Sequence, residues 1–580
     1  MWSHLHKALF APANSRSQTY FWFSLSLTFA AVYGLLALRE GFSGPYIVQD
    51  DARQHVFWAE RFVDPALFPQ DLIADYYRSL APAGYAALYW AMAAVGISPE
   101  LVSKVLPFFL GLATTAGCFA VSLELLPVPI AGFITSLLLN QNLWLKDDLA
   151  SATPRAFLYP LFLAFLYCLM RRAVLPCLGV LVLLVLFYPN FMLIAAGVLL
   201  LQPLRWRSGR VRWSGNRQDA LICLAGLAIC CVGIVPYVLT SSAYGPAMTA
   251  AEARTMPEFL PGGRTQFFVT DPAQYWIWGS RGSLLPKALF TPVTVLAGLF
   301  LPGLLRMGDR LPLVKQVQAG IMLLPQVLLV SCGWFLLAHI VLFKLYLPSR
   351  YTWHSFCIVL VLAAGVTLTL ILDALLRSAA QRIASPAKRS WLPASLALSV
   401  SVLIGVALVF YPSFVKKFPI TYYLSGQAPA LYQFFAQQPK DSLIASLSNE
   451  ANNLPTFAHR PVLVSSEYAL PYQVGYYRQI RQRAIDLIQA HYSSDAAVVQ
   501  AFTQQYNIRF WLLDQTAFEP GYLSKNHWLK QFQPVTNEAI LHLQQGATPV
   551  LKQVIPRCAA YKDDHFVVLP ASCVSEALKG

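Results

Sequence analysis

The sequence predicts a polytopic α-helical membrane protein of about eleven transmembrane helices, followed by a C-terminal extracytoplasmic α/β domain. Three observations lead there. The 580 residues are 56% hydrophobic and only 12% charged, against about a quarter charged in an ordinary soluble domain, so much of the apolar surface must face lipid. The apolar residues come in runs of about 20, the length a helix needs to cross hydrocarbon while satisfying its own backbone. Beyond residue 411 those runs stop, and short apolar strands alternate with helical segments. The chain thus divides into a membrane domain, 1–411, and an extracytoplasmic domain, 412–580.

Residues 1–18 carry His4, His6, Lys7 and Arg16, and the run after them is long enough to span, so it reads as a retained helix and not a cleaved signal. Spans fall near 19–38, 101–125, 127–145, 156–171, 173–188, 190–204, 219–240, 287–305, 318–346, 355–376 and 392–411. The fifth and sixth are short and broken at Tyr188-Pro189-Asn190, a turn near one surface. Span 318–346 is long enough to tilt or break.

The segment 80–97 (LAPAGYAALYWAMAAVGI) decides the topology. If it lies at the interface, Arg171-Arg172, the loop RWRSGRVRWSGNR, Arg306/Arg310/Lys315 and Arg377, Arg382, Lys388 and Arg389 all share the side of the basic N-terminus. That is the arrangement the positive-inside rule favours, and Tyr85, Tyr89 and Trp90 suit an interfacial helix. The net charge of +15 is then an orienting charge at a bacterial inner (plasma) membrane, and no nucleic-acid partner is expected. The outer side receives a first loop, 39–100, a short loop, 146–155, a long loop, 241–286, and everything after 412.

In the last region SLIASLS, PVLVSS, IRFWLLD and HFVVLP read as strands, and 479–491 and 494–506 as helices. Eight of the ten cysteines lie in or beside apolar segments and fit no metal spacing. Cys558 and Cys573 bracket a strand-like stretch; they suit a disulfide in an oxidising compartment, with two unrelated buried thiols as the alternative.

The strongest chemical pattern is Gln49-Asp50-Asp51-Ala52-Arg53-Gln54-His55. Adjacent carboxylates beside a membrane are costly unless they bind a cation, accept a proton or stay solvated. In a helix Asp51 shares a face with His55, and Asp50 with Arg53; the bland reading is a solvated cap formed by Asp50. A second pair, Asp147-Asp148, precedes Thr153-Pro154-Arg155 in the short outer loop, with Lys146 able to neutralise one carboxylate. Two such pairs at one surface suit a shared site for a divalent cation such as magnesium or manganese, or for a cation carried on a phosphate. Glu252 and Glu258 of the long loop are further candidate metal ligands. With Gly262-Gly263 and Tyr275-Trp276-Ile277-Trp278, that loop is either a lid or a solvated, aromatic-anchored loop. The cluster Glu467, Tyr468, Tyr472, Tyr476, Tyr477, Arg478, Arg481 and Arg483 serves either domain packing or acceptor recognition.

DDARQHVFWAERF resembles the first acidic motif of the GT-C membrane glycosyltransferases, a group that includes protein mannosyltransferases, lipid A aminoarabinose transferases and oligosaccharyltransferases. KLYLPSRYTWHS is similar to their Pro-x-Arg-Tyr segment, and HRPVLVSSEYALPYQ with YNIRFWLLD looks like an oligosaccharyltransferase periplasmic domain. No Trp-Trp-Asp-Tyr-Gly motif is present, so Asn-glycosylation is not implied. The resemblance implies transfer of a sugar from a polyprenyl-phosphate-linked donor in the membrane to an extracytoplasmic acceptor (lipid, glycan or protein). It implies Asp50 as catalytic base with Asp51 beside it, Asp147 or Asp148 orienting the acceptor or holding a metal, and Arg350, then Arg155, on the lipid phosphate. Arg350 beside Tyr351 and Trp353 reads equally as an interfacial anchor. A transporter, or a non-catalytic membrane assembly protein, remains the alternative; against the first, the acids concentrate in outer loops and not in mid-span.

Overall fold

The computed structural model describes residues 6, 9–10, 12–13, 15–207, 210–213, 215–239, 243–286, 288–384 and 391–578. His4, Lys7, Lys388, Arg389, residues 208, 209 and 214 of the basic loop and residues 241 and 242 of the long loop lie outside them. Among the described residues six helices are long and apolar enough to cross a membrane: Arg16–Gly41, Pro99–Leu125, Arg217–Pro236, Ala319–Ile340, Pro348–Ile383 and Trp391–Phe414. Four shorter apolar helices accompany them, Pro154–Met170, Val174–Phe187, Pro189–Leu201 and Val293–Leu305. The chain is a multi-pass integral membrane protein.

The apolar run 127–145 yields the helix Pro129–Leu143, 15 residues long and buried throughout, so protein and not lipid surrounds it. The run 287–305 yields a 3₁₀ helix, Val293–Phe300, and a short turn of α-helix, Leu301–Leu305. Pro302, Gly298 and Gly303 disfavour a long α-helix there. Gly298 also lies so close to its neighbour that a Cβ would sit 2.7 Å from the Leu360 carbonyl oxygen. That neighbour is the central element. The span Pro348–Ile383 is 89% buried across its apolar window, against 17% for Trp391–Phe414, so one forms the core of the bundle and the other faces lipid.

The segment 80–97 forms the helix Ala83–Ala94, 12 residues long. At 1.5 Å per residue it is about 18 Å long, well short of the roughly 30 Å hydrocarbon core. Tyr85 and Tyr89 are buried, and both hydroxyls donate to the Ala152 carbonyl, at 3.2 and 3.4 Å. This helix therefore braces the second acidic turn.

Beyond the last span the chain returns to the segment that follows the first helix. Tyr423–Ser425 pairs antiparallel with Ile47–Gln49, with Gln49 opposite Tyr423. Further on, a four-stranded sheet runs in the order Ile444–Ser446, Phe510–Asp514, Phe566–Pro570, Tyr561–Lys562; its first pair is parallel and the others antiparallel. The two inner strands are buried on both faces, which is why they read as unbroken apolar runs. PVLVSS forms a single parallel bridge, Val462 to Ile444, and Pro461, which has no N–H, cannot extend it toward the N-terminus. The helices expected over 479–491 and 494–506 form as Val474–Tyr492 and Ala496–Gln505, and others, among them Pro429–Ala436, Val535–Gln544 and Val550–Cys558, accompany them.

Cys558 and Cys573, 15 residues apart, form a disulfide. Closing a loop of that size removes about 3 kcal/mol of freedom from the unfolded chain. Replacing both with Ser is expected to lower the melting temperature of the detergent-solubilised protein; an unchanged melting curve would contradict that.

Candidate active site

The pairing of Ile47–Gln49 with Tyr423–Ser425 fixes where the first acidic motif starts. Helix Asp50–His55 follows at once, and the Gln49 side-chain oxygen accepts the Ala52 N–H at 3.0 Å. The cap is therefore Gln49 and not Asp50, which leaves both carboxylates free to point outward from the helix start, in different directions.

Asp50 turns toward the C-terminal region. Its carboxylate meets Arg53 at 2.8 Å, and Arg53 also donates to Asn453 at 2.7 Å and to Glu467 at 3.2 Å. Arg264, from the long loop, closes on the other Glu467 oxygen at 3.1 Å. Asp51 turns toward the second acidic turn, where its Oδ2 lies 2.6 Å from Nη2 of Arg155. The same Nη2 is 3.1 Å from Asp147, and the Arg155 Nε is 3.3 Å from Asp148. Asp51 and the pair Asp147-Asp148, about a hundred residues apart in sequence, thus meet at a single guanidinium.

Asp148 is the most enclosed of these acids. Lys146 Nζ stands 3.0 Å from its Oδ2, Tyr159 donates to the same oxygen at 2.5 Å, and His354 Nδ1 is 3.3 Å away. The turn carrying it holds Ala152 at φ 50°, a conformation costly for a residue with a Cβ and clamped here by the two tyrosines. Arg350 sits in the 3₁₀ turn Pro348–Tyr351 at the head of the central helix, its guanidinium 6.0 Å from the Tyr346 ring. Its field reaches Asp51 and His55, yet among the described residues no carboxylate lies within ion-pair distance of it.

These surroundings push the two adjacent acids apart. Burial raises the Asp50 carboxyl, more than Arg53 lowers it. Burial would raise Asp51 too, but Arg155, then His55 and Arg350, outweigh it and hold Asp51 below the usual carboxylate range. Asp148 is held lower still: burial is overcome by Lys146, His354 and Arg155. A pair of carboxyls split in this way is the arrangement that lets one move a proton while the other stays charged.

Glu252 and Glu258 do not join this cluster. Glu252 closes a capping box with Thr249, and Glu258 is buried against Tyr477 and Arg481, each 2.6 Å from its Oε1. Among the described residues no three His, Cys, Asp or Glu side chains are grouped to hold a metal ion. A cleft of about 730 Å³, lined among others by Gly263, Arg264, Asn449, Tyr522 and Trp528, contains none of the four acids. It connects to Asp50 through Arg264, Glu467 and Arg53.

Sequence reasoning missed Tyr159, Arg264 and Asn453. Tyr159 follows Arg155 by four residues, so helical spacing could have found it. Nothing local marks the other two.

Just past the motif, Glu60 is buried and accepts the Glu100 N–H at 3.3 Å. Burial pushes its carboxyl up to about 7 from an ordinary 4.5. The folded state therefore favours the neutral form; that contribution is complete below about pH 4.5 and is lost as pH rises through about 7. The melting temperature of Glu60→Gln should fall less between those limits than that of the wild type. Parallel curves would contradict the assignment.

No protein-family model matches the sequence, and no curated protein does. Solved structures do resemble it. The archaeal oligosaccharyltransferase AglB from Archaeoglobus fulgidus, in complex with an inhibitory peptide and a dolichol-phosphate, superposes with a TM-score of 0.52 at 12% identity, over 90% of this chain and 72% of that one. The apo form of the A. fulgidus oligosaccharyltransferase gives 0.50 at 12% identity, over 88% and 72%. The arabinofuranosyltransferase AftD from Mycobacteria gives 0.44 at 13%, over 84% of this chain and 35% of its own. These neighbours are GT-C glycosyltransferases. At such identities the likeness is one of fold: the chain shares the overall architecture of the A. fulgidus oligosaccharyltransferase structures.

Proposed function

We propose that this protein is a membrane glycosyltransferase that moves a sugar from a polyprenyl-phosphate donor to an extracytoplasmic acceptor. The observation that carries the reading is the meeting of two acidic turns with Arg155, beside an arginine, Arg350, that has no carboxylate partner among the described residues. Asp50 and Asp51 divide the labour. Asp50, the carboxyl raised by burial, takes the proton from the acceptor hydroxyl as its oxygen attacks C1 of the sugar. Asp51 stays ionised and, with Asp147 and Asp148, shapes the field around the reacting centre. The bond from C1 to the phosphate oxygen breaks with inversion, and Arg350 stabilises the phosphate that leaves on the lipid.

The dolichol-phosphate held by AglB supports a lipid-phosphate donor, and in this reading its phosphate lies at Arg350. The acceptor approaches from the Asp50 side, near the cleft at Arg264. In this reading residues 412–580 form an extracytoplasmic α/β domain above a membrane domain of residues 1–411, the N-terminus is cytoplasmic, and the membrane is a bacterial inner membrane. The test is transfer of label from radiolabelled polyprenyl-phosphate sugars in membranes containing the protein. Label passing to an acceptor with wild type and not with Asp50→Asn supports the reading; equal incorporation with both overturns it.

A further inference from the structure

We infer that Arg155 is the permanent cation of this site, filling the point where three carboxylates would otherwise gather a divalent metal ion. The inference deepens the transferase reading and rests on it for its consequence in catalysis, though not for its geometry.

A divalent cation is held by oxygens that converge on one empty point, at about 2.0–2.6 Å for magnesium or calcium. Here Oδ2 of Asp51 and Oδ2 of Asp147 converge on a nitrogen, Nη2 of Arg155, at 2.6 and 3.1 Å, while Oδ1 of Asp148 faces Nε of the same group at 3.3 Å. The remaining Asp148 oxygen is already engaged by Tyr159, Lys146 and His354. A metal would have to expel the guanidinium and strip Asp148 of its partners. Charge points the same way. Three acids face Arg155 and Lys146 directly and Arg350 through its field, so an added double charge would be uncompensated in an enclosed place.

The chain delivers Arg155 rigidly. It lies in the turn Pro154–Phe157 that opens directly into the helix Leu158–Met170, and its side chain is only 13% exposed. A guanidinium does not deprotonate in proteins and presents its donors in a fixed fork, so it can hold two acidic turns together as a metal would, without the reversibility of a metal. Arg155 is thus a positioning residue. It keeps Asp51 charged and in place, and leaves the lipid phosphate to Arg350.

Manganese binding to the purified full chain in lipid nanodiscs, read from the loss of the free Mn²⁺ spectrum, tests this. Wild type should take up no Mn²⁺ at a saturable site, Arg155→Met should gain a single saturable site, and Arg155→Met with Asp51→Asn should lose it again. Wild-type binding that Asp147→Asn abolishes would overturn the inference. So would a folded Arg155→Met that binds nothing, because its carboxylates would then not converge. If Arg155→Met does not fold, the wild type and Asp147→Asn decide alone: no saturable site in wild type supports the inference, and a site lost in Asp147→Asn overturns it. Where transfer is measured, its loss on adding EDTA overturns the built-in cation and spares the transferase. Absence of any transfer alongside the expected Mn²⁺ pattern overturns the transferase and spares the cation.

Discussion

Asp50→Asn is expected to lower the rate of sugar transfer by about 10²–10⁴-fold, the range a positioned general base contributes, while leaving the protein folded. Asn is close to Asp in size, and its amide oxygen can still accept from Arg53, so the contacts that seat the motif against Asn453 and Glu467 survive the change. What disappears is the ability to take a proton. Because burial raises the Asp50 carboxyl, wild-type transfer should fall as pH drops through its titration, and the residual activity of the variant should lack that acid limb. Initial rates across pH, on wild type and variant in the same membranes, measure both. Asp51→Asn should behave differently. It removes a contact of Arg155, so its loss should come with a looser site and a lower melting temperature. A rate for Asp50→Asn within about threefold of wild type would remove Asp50 from proton transfer, and would favour a membrane protein that does no chemistry there.

How much of this could be read from the chain depends on the range of the interactions involved. The membrane helices and the acidic pairs were legible because both signals are local: apolar run length in the first case, adjacent like charges in the second. Loop charges favour an interfacial placement of 80–97, where the structure has the twelve-residue helix Ala83–Ala94. Failures occur where long-range contacts decide. Asp50 looked like the cap because Asp is a preferred capping residue; Gln49 takes that role because strand pairing with Tyr423 fixes its backbone. Glu467 was visible only as one acid among tyrosines and arginines, since its partners Arg53 and Arg264 come from two distant segments of the chain. The run 287–305 has the composition of a span, but Gly298 serves close packing against Leu360, which composition cannot reveal. In sequence both arginines are candidates for the lipid phosphate, Arg350 first and Arg155 second. Only geometry separates an arginine shared by three acids from one that pairs with none of them.

That separation leads to the second large effect. Arg350→Ala should raise the donor concentration needed for half-maximal transfer and cut the rate by about 10²–10³-fold, the loss typical when a preorganised donor to a developing anion is removed. Arg350 lies outside the ion pairs that hold the acidic turns, and its guanidinium is 6.0 Å from the Tyr346 ring, so the fold should tolerate Ala. Arg350→Lys should recover only part of the activity. It restores the charge but not the planar fork that grips two phosphate oxygens at once. Arg155→Lys provides the contrast: its damage should appear in thermal stability, because three carboxylates lose their common partner. Binding of a radiolabelled polyprenyl phosphate, without any sugar, isolates the step. Wild type and Asp50→Asn should bind it alike, and Arg350→Ala should bind it weakly. Equal binding by Arg350→Ala would move the lipid phosphate elsewhere in the fold and leave Arg350 as an interfacial anchor.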